Sequence, residues 1–285
     1  MVTLERGRMN PDDVVLITGC SSGIGKALAL EFARRGLRVM ATARRQADLE
    51  DLGTRTNIIT TQLDVVDPES IARAVQETIA SLGRIDMLIN NAGFNLIGPL
   101  AETAPADVRR LLDTNVTGVL AVAQPAIAHM AKRESGTIVN ISSMVAVMPT
   151  PFEGAYAASK AAVHIMSETL RIELAPFGIR VVEVQPGMVH SEIGNKAAGD
   201  PARYSSPDSL YAKFAHAIAH RRGSFRGNRT DAGEFARRLV AKLVTTRPPR
   251  LIRLGRGAQL FPFAMAVVPA SLRDWVLRRM FGLNR

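Results

Sequence analysis

The sequence predicts an α/β fold, a doubly wound parallel sheet covered by helices on both faces, and three observations predict it. Strand-like and helix-like segments alternate six times between Asp13 and Gly187, with mostly short connections. The strand segments are nearly continuous apolar runs, as strands covered on both sides require, rather than alternating ones. A glycine-rich turn closes the first strand and opens the first helix, where sheets of this kind receive their ligands.

Each element has its own local reason. Asp13 to Thr18, "DVVLIT", reads as a buried strand, followed by an amphipathic helix from Gly23 to the C-cap glycine Gly36. "LRVMATA" (Leu37 to Ala43) is a second strand, and "NIITTQLDV" a third after a polar connection. Asp67 is placed to cap a helix from Pro68 to Leu82, with proline at the first helical position. "DMLINNAG" forms a fourth strand, Pro105 to Lys132 a long helical stretch and "GTIVNISS" a fifth strand. A helix to about Ala175 and the strand "IRVVEVQPG" complete the alternation.

After Gly187 the pattern changes. Residues 190 to 206 are polar and rich in Gly, Ser and Pro. A helix is expected from Ser206 as N-cap to about Arg221, another from Asp231 with Glu234 at capping-box spacing, and a last strand at Arg250 to Gly255. No linker or low-complexity segment interrupts the chain, so one domain over residues 1–285 is expected: a core at 13–189, a helical substrate-pocket extension at 190–249, and a last strand with a basic tail at 250–285.

Composition narrows the function classes. The single cysteine, Cys20, rules out an internal disulfide framework, and no Cys/His spacing suits zinc. The N-terminal segment has no apolar signal region, and the uncharged run from Gly257 to Leu272 contains Pro262 and Pro269, so a cytoplasmic protein is expected. The net charge of +10 is uneven: residues 201–285 hold 17 Lys/Arg against 4 Asp/Glu, a local +13, while the first 200 hold 19 against 22. That basic third could attract an acidic carrier, an anionic lipid or nothing at all. No interleaving of aromatic and basic residues marks a nucleic-acid platform.

The loop "TGCSSGIG", Thr18 to Gly25, is built to approach a pyrophosphate. Gly19, Gly23 and Gly25 permit a tight backbone turn, and Ser21, Ser22 and Ile24 lie between them at the start of a helix whose amides and dipole favour an anion. An acidic residue ending the second strand would select NAD; this chain has Ala43, Arg44 and Arg45 there. Two guanidiniums suit a 2′-phosphate, which predicts NADP(H). Farther along, "YAASK" sets Tyr156 and Lys160 one helical turn apart on one face.

With "NNAG" (Asn90 to Gly93), "DTNVTG" around Asn115, "ISS" ending at Ser143 and "PGMVHS", these motifs resemble the short-chain dehydrogenase/reductase family over about residues 13 to 191, near its 17β-hydroxysteroid and retinol dehydrogenase branch. The resemblance implies a Rossmann fold and a catalytic tetrad of Asn115, Ser143, Tyr156 and Lys160; Ser143 rather than Ser142 matches the family spacing to the tyrosine. It also implies that Asp64 and Val65 meet the adenine, that Asn91, Ala92 and Gly93 run along the cofactor, and that Pro186, Gly187, Val189 and Ser191 lie near the carboxamide. In that scheme Tyr156 exchanges a proton with substrate and touches the cofactor. Ser143 polarises the carbonyl, Lys160 lowers the tyrosine pKa and holds the ribose, and Asn115 positions a relay water.

The expected activity is therefore NADP(H)-dependent interconversion of a lipophilic ketone or aldehyde and its alcohol. Two other readings stand beside it: a reductase of carrier-bound or CoA-bound 3-ketoacyl chains, and a regulator that senses NADP or binds nucleic acid without turnover. Phe94, Met144, Met148, Phe152 and Met188 are candidate pocket residues. Leu272, Trp275, Val276, Met280 and Leu283 recur near helical spacing in the tail, which could cap the pocket, meet a partner subunit or rest on an anionic bilayer. The long helices at 105–132 and 155–175 are the family's usual oligomer surfaces, so a homodimer or homotetramer is expected.

Overall fold

Seven parallel strands make one sheet among residues 9–190, 201–223 and 229–283, the residues that the computed structural model describes. They are Val14–Ile17 (β1), Arg38–Ala43 (β2), Ile58–Gln62 (β3), Met87–Asn90 (β4), Gly136–Ile141 (β5), Ile179–Pro186 (β6) and Leu251–Leu254 (β7). Their order is β3-β2-β1-β4-β5-β6-β7. Chain direction across the sheet reverses between β1 and β4, so a crevice opens beyond the carboxyl ends of those two strands.

Alternation along each strand sends its residues to two different cores. On one face Val15, Ile17 and Val39 pack against Leu28 and Phe32 of α1 (Gly23–Arg34) and Phe235 and Leu239 of α8 (Ala232–Leu243). On the other, Leu16, Met40 and Leu88 meet Ile71 and Val75 of α3 (Pro68–Leu82) and Val122 and Ala126 of α5 (Gly118–Ala131). The expected caps are present. Asp67 accepts from the Glu69 amide at 3.0 Å, and Asp231 from the Glu234 amide at 2.9 Å.

Three expectations change. The polar connection after β2 contains helical turns, at Gln46–Leu49 and at α2 (Glu50–Gly53), which bury Leu49 and Leu52. The long helical stretch is α4 (Pro105–Leu112) joined to α5 through a π-helical turn at Asp113–Thr117. By length and composition this stretch, Pro105–Ala131, is apolar enough to cross a membrane; here it lays Val122, Ala126 and Met130 against the sheet. The helix expected from Ser206 begins only at Ala215 (α7, Ala215–Gly223). Local side-chain bonds win there: Ser206 Oγ accepts from the Asp208 amide at 3.3 Å, and Ser209 Oγ from the Tyr211 amide at 3.1 Å. Glu102 also takes the Leu210 amide at 2.7 Å, holding the segment in turns.

The tail forms α9 (Leu260–Val267) and α10 (Ala270–Met280). It returns over the catalytic end of the sheet, so Phe281 and Leu283 pack beside Ile97, Phe152, Tyr204 and Ile218.

Candidate active site

The glycine loop is shaped by close approach. Gly19 has φ 74°, and a Cβ there would lie 2.9 Å from the Ala92 Cα; a Cβ on Gly25 would lie 2.3 Å from the Gly19 carbonyl oxygen. Asn91 ties this turn to β4, its Nδ2 donating to the carbonyls of Thr18 at 2.9 Å and Gly19 at 3.0 Å. Thr18 Oγ1 in turn accepts from the amides of Asn91 and Ala92, both at 3.0 Å. The turn leads into α1, whose first turn carries no acidic residue to compete with an anion.

This loop forms one end of a cavity of about 1050 Å³. Gly19, Ser21, Ser22, Gly23 and Ile24 line it, with Asp64 and Val65 after β3 and Asn91, Ala92 and Gly93 after β4. Pro186, Gly187 and Val189 line it beyond β6. Gly25 lies behind the wall as packing for the turn. Ser191 falls outside the described residues.

The two arginines part company. Arg44 lines the cavity, whereas Arg45 does not: its guanidinium is bound to Asp48 at 2.7 and 3.2 Å and its side chain is 78% exposed. Sequence alone offered both as phosphate ligands, and the next helical turn has claimed one.

Ser143, Tyr156 and Lys160 meet at the middle of the cavity. Tyr156 and Lys160 are both buried on α6 (Gly154–Glu173), with Nζ 5.8 Å from the centre of the phenol ring. Ser143 Oγ accepts from the Val145 amide at 3.3 Å and acts on Tyr156 as a neighbour that lowers its pKa, while Ser142 donates to the Lys160 carbonyl at 3.2 Å. Both serines line the cavity, and Ser143 is the one whose side chain acts on Tyr156.

The electrostatics differ from expectation. Burial, and next the charge of Glu153, push the Tyr156 phenol above its ordinary range, against a smaller lowering by the Ser143 side chain. Burial holds the Lys160 ammonium down at about 8, and Nζ donates to the Ile141 carbonyl at 2.9 Å. The expected lowering of the tyrosine pKa by Lys160 is thus not a property of the protein alone. Desolvation dominates.

Asn115 is the residue expected to position a relay water. It sits in the π-helical turn, fully buried, and its Nδ2 donates to the Phe94 carbonyl at 2.9 Å and to Ser159 Oγ at 3.1 Å. Its Oδ1 accepts from the Phe94 amide at 3.0 Å. These bonds tie the side chain to the loop after β4. There it fixes Gly93, where a Cβ would be 2.9 Å from Asn115 Oδ1 and 3.7 Å from Lys160 Nζ.

Beyond Tyr156 the cavity turns apolar. Phe94, Met144, Met148 and Met188 line it as expected. Phe152 does not, and instead stacks edge-on against Tyr211 and Phe281 at 6.4 and 6.2 Å. Phe261, Ala264, Met265, Val276 and Leu277 close the far wall, so α9 and α10 cap the pocket with one face. Their other face stays open, with Phe263 at 65% and Trp275 at 52% exposure. Sequence reading missed a buried polar group in this wall, Asn95, Thr150 and Glu153; the acidic residue one turn before the tyrosine was its only signal.

The other reactive side chains are structural. Cys20 is buried, its thiol pushed up to about 12, and His164 Nδ1 pairs with the buried Glu183 at 2.6 Å.

The profile of the short chain dehydrogenases matches residues 13–201 of this sequence. The chain belongs to that family. Among its relatives in the short-chain dehydrogenase family is the NADPH-dependent 1-acyldihydroxyacetone phosphate reductase of Schizosaccharomyces pombe, 38% identical over 256 residues, covering 89% of this chain and 83% of that one. Human 17-beta-hydroxysteroid dehydrogenase type 1 is 34% identical over 82% of this chain and 75% of its own. A short-chain dehydrogenase of Streptomyces avermitilis superposes with a TM-score of 0.77 at 32% identity, covering 96% of this chain and 98% of that one. The chain is accordingly an oxidoreductase-family protein whose fold receives a nicotinamide cofactor.

Proposed function

We propose that this short-chain dehydrogenase reduces a lipophilic ketone or aldehyde with NADPH. One observation carries the reading: a single cavity runs from the glycine loop and Arg44, past Ser143, Tyr156 and Lys160, to the apolar wall of α9 and α10. The cradle suits a dinucleotide, because close packing at Gly19 and Gly25 holds a tight turn at the mouth of α1, whose first turn carries no acidic residue, and Gly19 to Ile24 without Cys20 line the cavity there.

In this reading Gly19 to Ile24 hold the pyrophosphate, Arg44 pairs with the 2′-phosphate, Asp64 and Val65 flank the adenine, and Lys160 holds the ribose. The bound nicotinamide supplies the hydride. Ser143 Oγ and the Tyr156 hydroxyl hydrogen-bond the substrate oxygen, and Tyr156 donates the proton as the alcohol forms. Its raised pKa keeps that proton in place at neutral pH, which suits the reducing direction. Asn115 acts as a positioning residue for Gly93 and Lys160. The NADPH-dependent 1-acyldihydroxyacetone phosphate reductase of Schizosaccharomyces pombe supports both the cofactor preference and an acyl-bearing ketone substrate.

Two further surfaces enter the proposal. Ile165 and Ile172, seven positions apart on α6, are 63% and 66% exposed on one helix face and suit pairing with a second copy. Leu260, Phe263, Val267 and Trp275, with arginines in α10, suit peripheral contact with an anionic bilayer beside the cavity wall.

The test is NADPH absorbance over a panel of long-chain ketones, aldehydes and alcohols. Turnover of a lipophilic ketone with kcat/KM higher for NADPH than for NADH is expected. No turnover of any carbonyl overturns the reductase; an NADH preference overturns the role of Arg44.

A further inference from the structure

Apolar side chains make most of the wall beyond Tyr156, and one polar group interrupts it. Asn95 follows β4, while Thr150 and Glu153 lie on the segment that leads into α6; they are 1%, 7% and 2% exposed, and all three line the cavity. Asn95 Nδ2 donates to Glu153 Oε1 at 2.7 Å. Among the described residues, Asn95 Oδ1 and Thr150 Oγ1 have no hydrogen-bond partner.

Leaving a buried polar atom unbonded costs about 1–3 kcal/mol, and folded proteins retain few such atoms. Here two of them share the wall of one cavity with a buried carboxylate. The backbone is strained at the same place, since Phe152 has φ 65° immediately before Glu153. Gly98 secures that conformation by donating to the Phe152 carbonyl at 2.8 Å. A segment concerned only with packing would put an aliphatic residue at each of these positions.

The three side chains have a definite polarity. An amide oxygen accepts, a hydroxyl accepts as well as donates, and a carboxylate adds negative charge. An anion would be repelled by Glu153, and an alkyl group would leave both orphaned atoms unsatisfied. A hydrogen-bond donor satisfies them.

We infer that Asn95, Thr150 and Glu153 form a subsite for a hydrogen-bond-donating group, a hydroxyl or an ammonium, carried by the substrate close to its carbonyl. This rests on the proposed reading, in which the carbonyl lies at Tyr156. Glu153 stands one helical turn before that tyrosine and its charge reaches the phenol, so the subsite and the reacting oxygen are neighbours. The subsite thus selects functionalised ketones from among chains of equal length.

The test compares a long-chain methyl ketone with its α-hydroxy and α-amino counterparts under NADPH. The wild-type protein is expected to favour a donor-bearing ketone in kcat/KM by about tenfold or more, mainly through KM. Preference for the amino ketone, lost in Glu153→Gln, identifies an ammonium; preference for the hydroxy ketone identifies a hydroxyl. Asn95→Leu and the nearly isosteric Thr150→Val are expected to collapse the ratio of donor-bearing to plain ketone towards one. A wild-type ratio of one, or a ratio that neither variant changes, overturns the inference while leaving the reductase intact. Calorimetric titration of the matching long-chain diol and mono-alcohol into the NADPH-saturated protein, where the alcohol has no hydride acceptor, tests the subsite without turnover. Equal affinities there also overturn it, whether or not any ketone is reduced.

Discussion

At the cofactor end of the cavity the walls are backbone and short polar side chains, whereas at the far end they are long apolar side chains from α9 and α10. The first end tolerates no extra atom: a Cβ on Gly25 would meet both the Gly19 carbonyl oxygen at 2.3 Å and Asn91 Nδ2 at 2.4 Å. The second is bounded by a face that is apolar on its outside too, where Phe263 and Val267 are more than half exposed. One end is shaped for a single ligand by main-chain geometry, the other for a class of ligands by side chains that can be exchanged. Tyr156 stands where they meet.

The contrast can be broken or sharpened by substitution. The largest effect is expected from Tyr156→Phe, which removes the proposed proton donor at the junction. Carbonyl reduction should fall by about 10²–10⁴-fold, while NADPH binding, followed by nucleotide fluorescence, is retained. Loss of binding instead would mean that the two ends do not act separately.

Next comes Lys160, whose charge the cofactor end holds at a cost. Its pKa in the folded protein is about 8, below its ordinary value of 10.5. Between those values the unfolded chain carries a proton that the folded chain has released, so stability rises with pH across that window, by about 3 kcal/mol in all. Lys160→Met should lack this rise. Urea unfolding of the cofactor-free protein at pH 7 and above pH 10 measures it, and an equal pH response in both proteins would contradict the buried ammonium.

A smaller effect separates the adjacent arginines. Arg44→Ala is expected to reduce kcat/KM for NADPH by about ten- to a hundredfold while sparing NADH, the scale of one charge-assisted phosphate contact. Arg45→Ala should change either value little, since Asp48 already holds that guanidinium. The reverse ranking would reassign the phosphate ligand. The mildest expectation concerns the far wall. Ala264→Phe should raise KM for a long-chain ketone by about tenfold or less and leave the affinity for NADPH unchanged.

Much of the cofactor end was legible in the sequence because backbone constraints write themselves as residue types. Glycine at 19 and 25 is required by close approach, Asp67 and Pro68 open a helix by local bonding, and Tyr156 and Lys160 share a face by helical period. Side-chain competition was less visible. Nothing in "ARR" says that Asp48 will take Arg45, and nothing in the serines at 206 and 209 says that they will bond their own backbone instead of capping a helix. Asn115 shows the same limit, for its neighbours Phe94 and Ser159 are distant in sequence. The sign of the Tyr156 shift was likewise hidden, since it depends on burial by several elements at once.

The π-helical turn at Asp113–Thr117 holds one residue more than a regular helix would use. Winding these residues as an ordinary helix with none removed would let the regular ladder close, but everything beyond would swing by one residue's rotation, about 100° around the axis. Gly118 would then leave Val65, which a Cβ at that position would already touch at 2.9 Å, and Asn115 would leave the Phe94 backbone. The surplus residue is a phase adjustment: it lets one end of a continuous rod follow the sheet while the other follows the pocket.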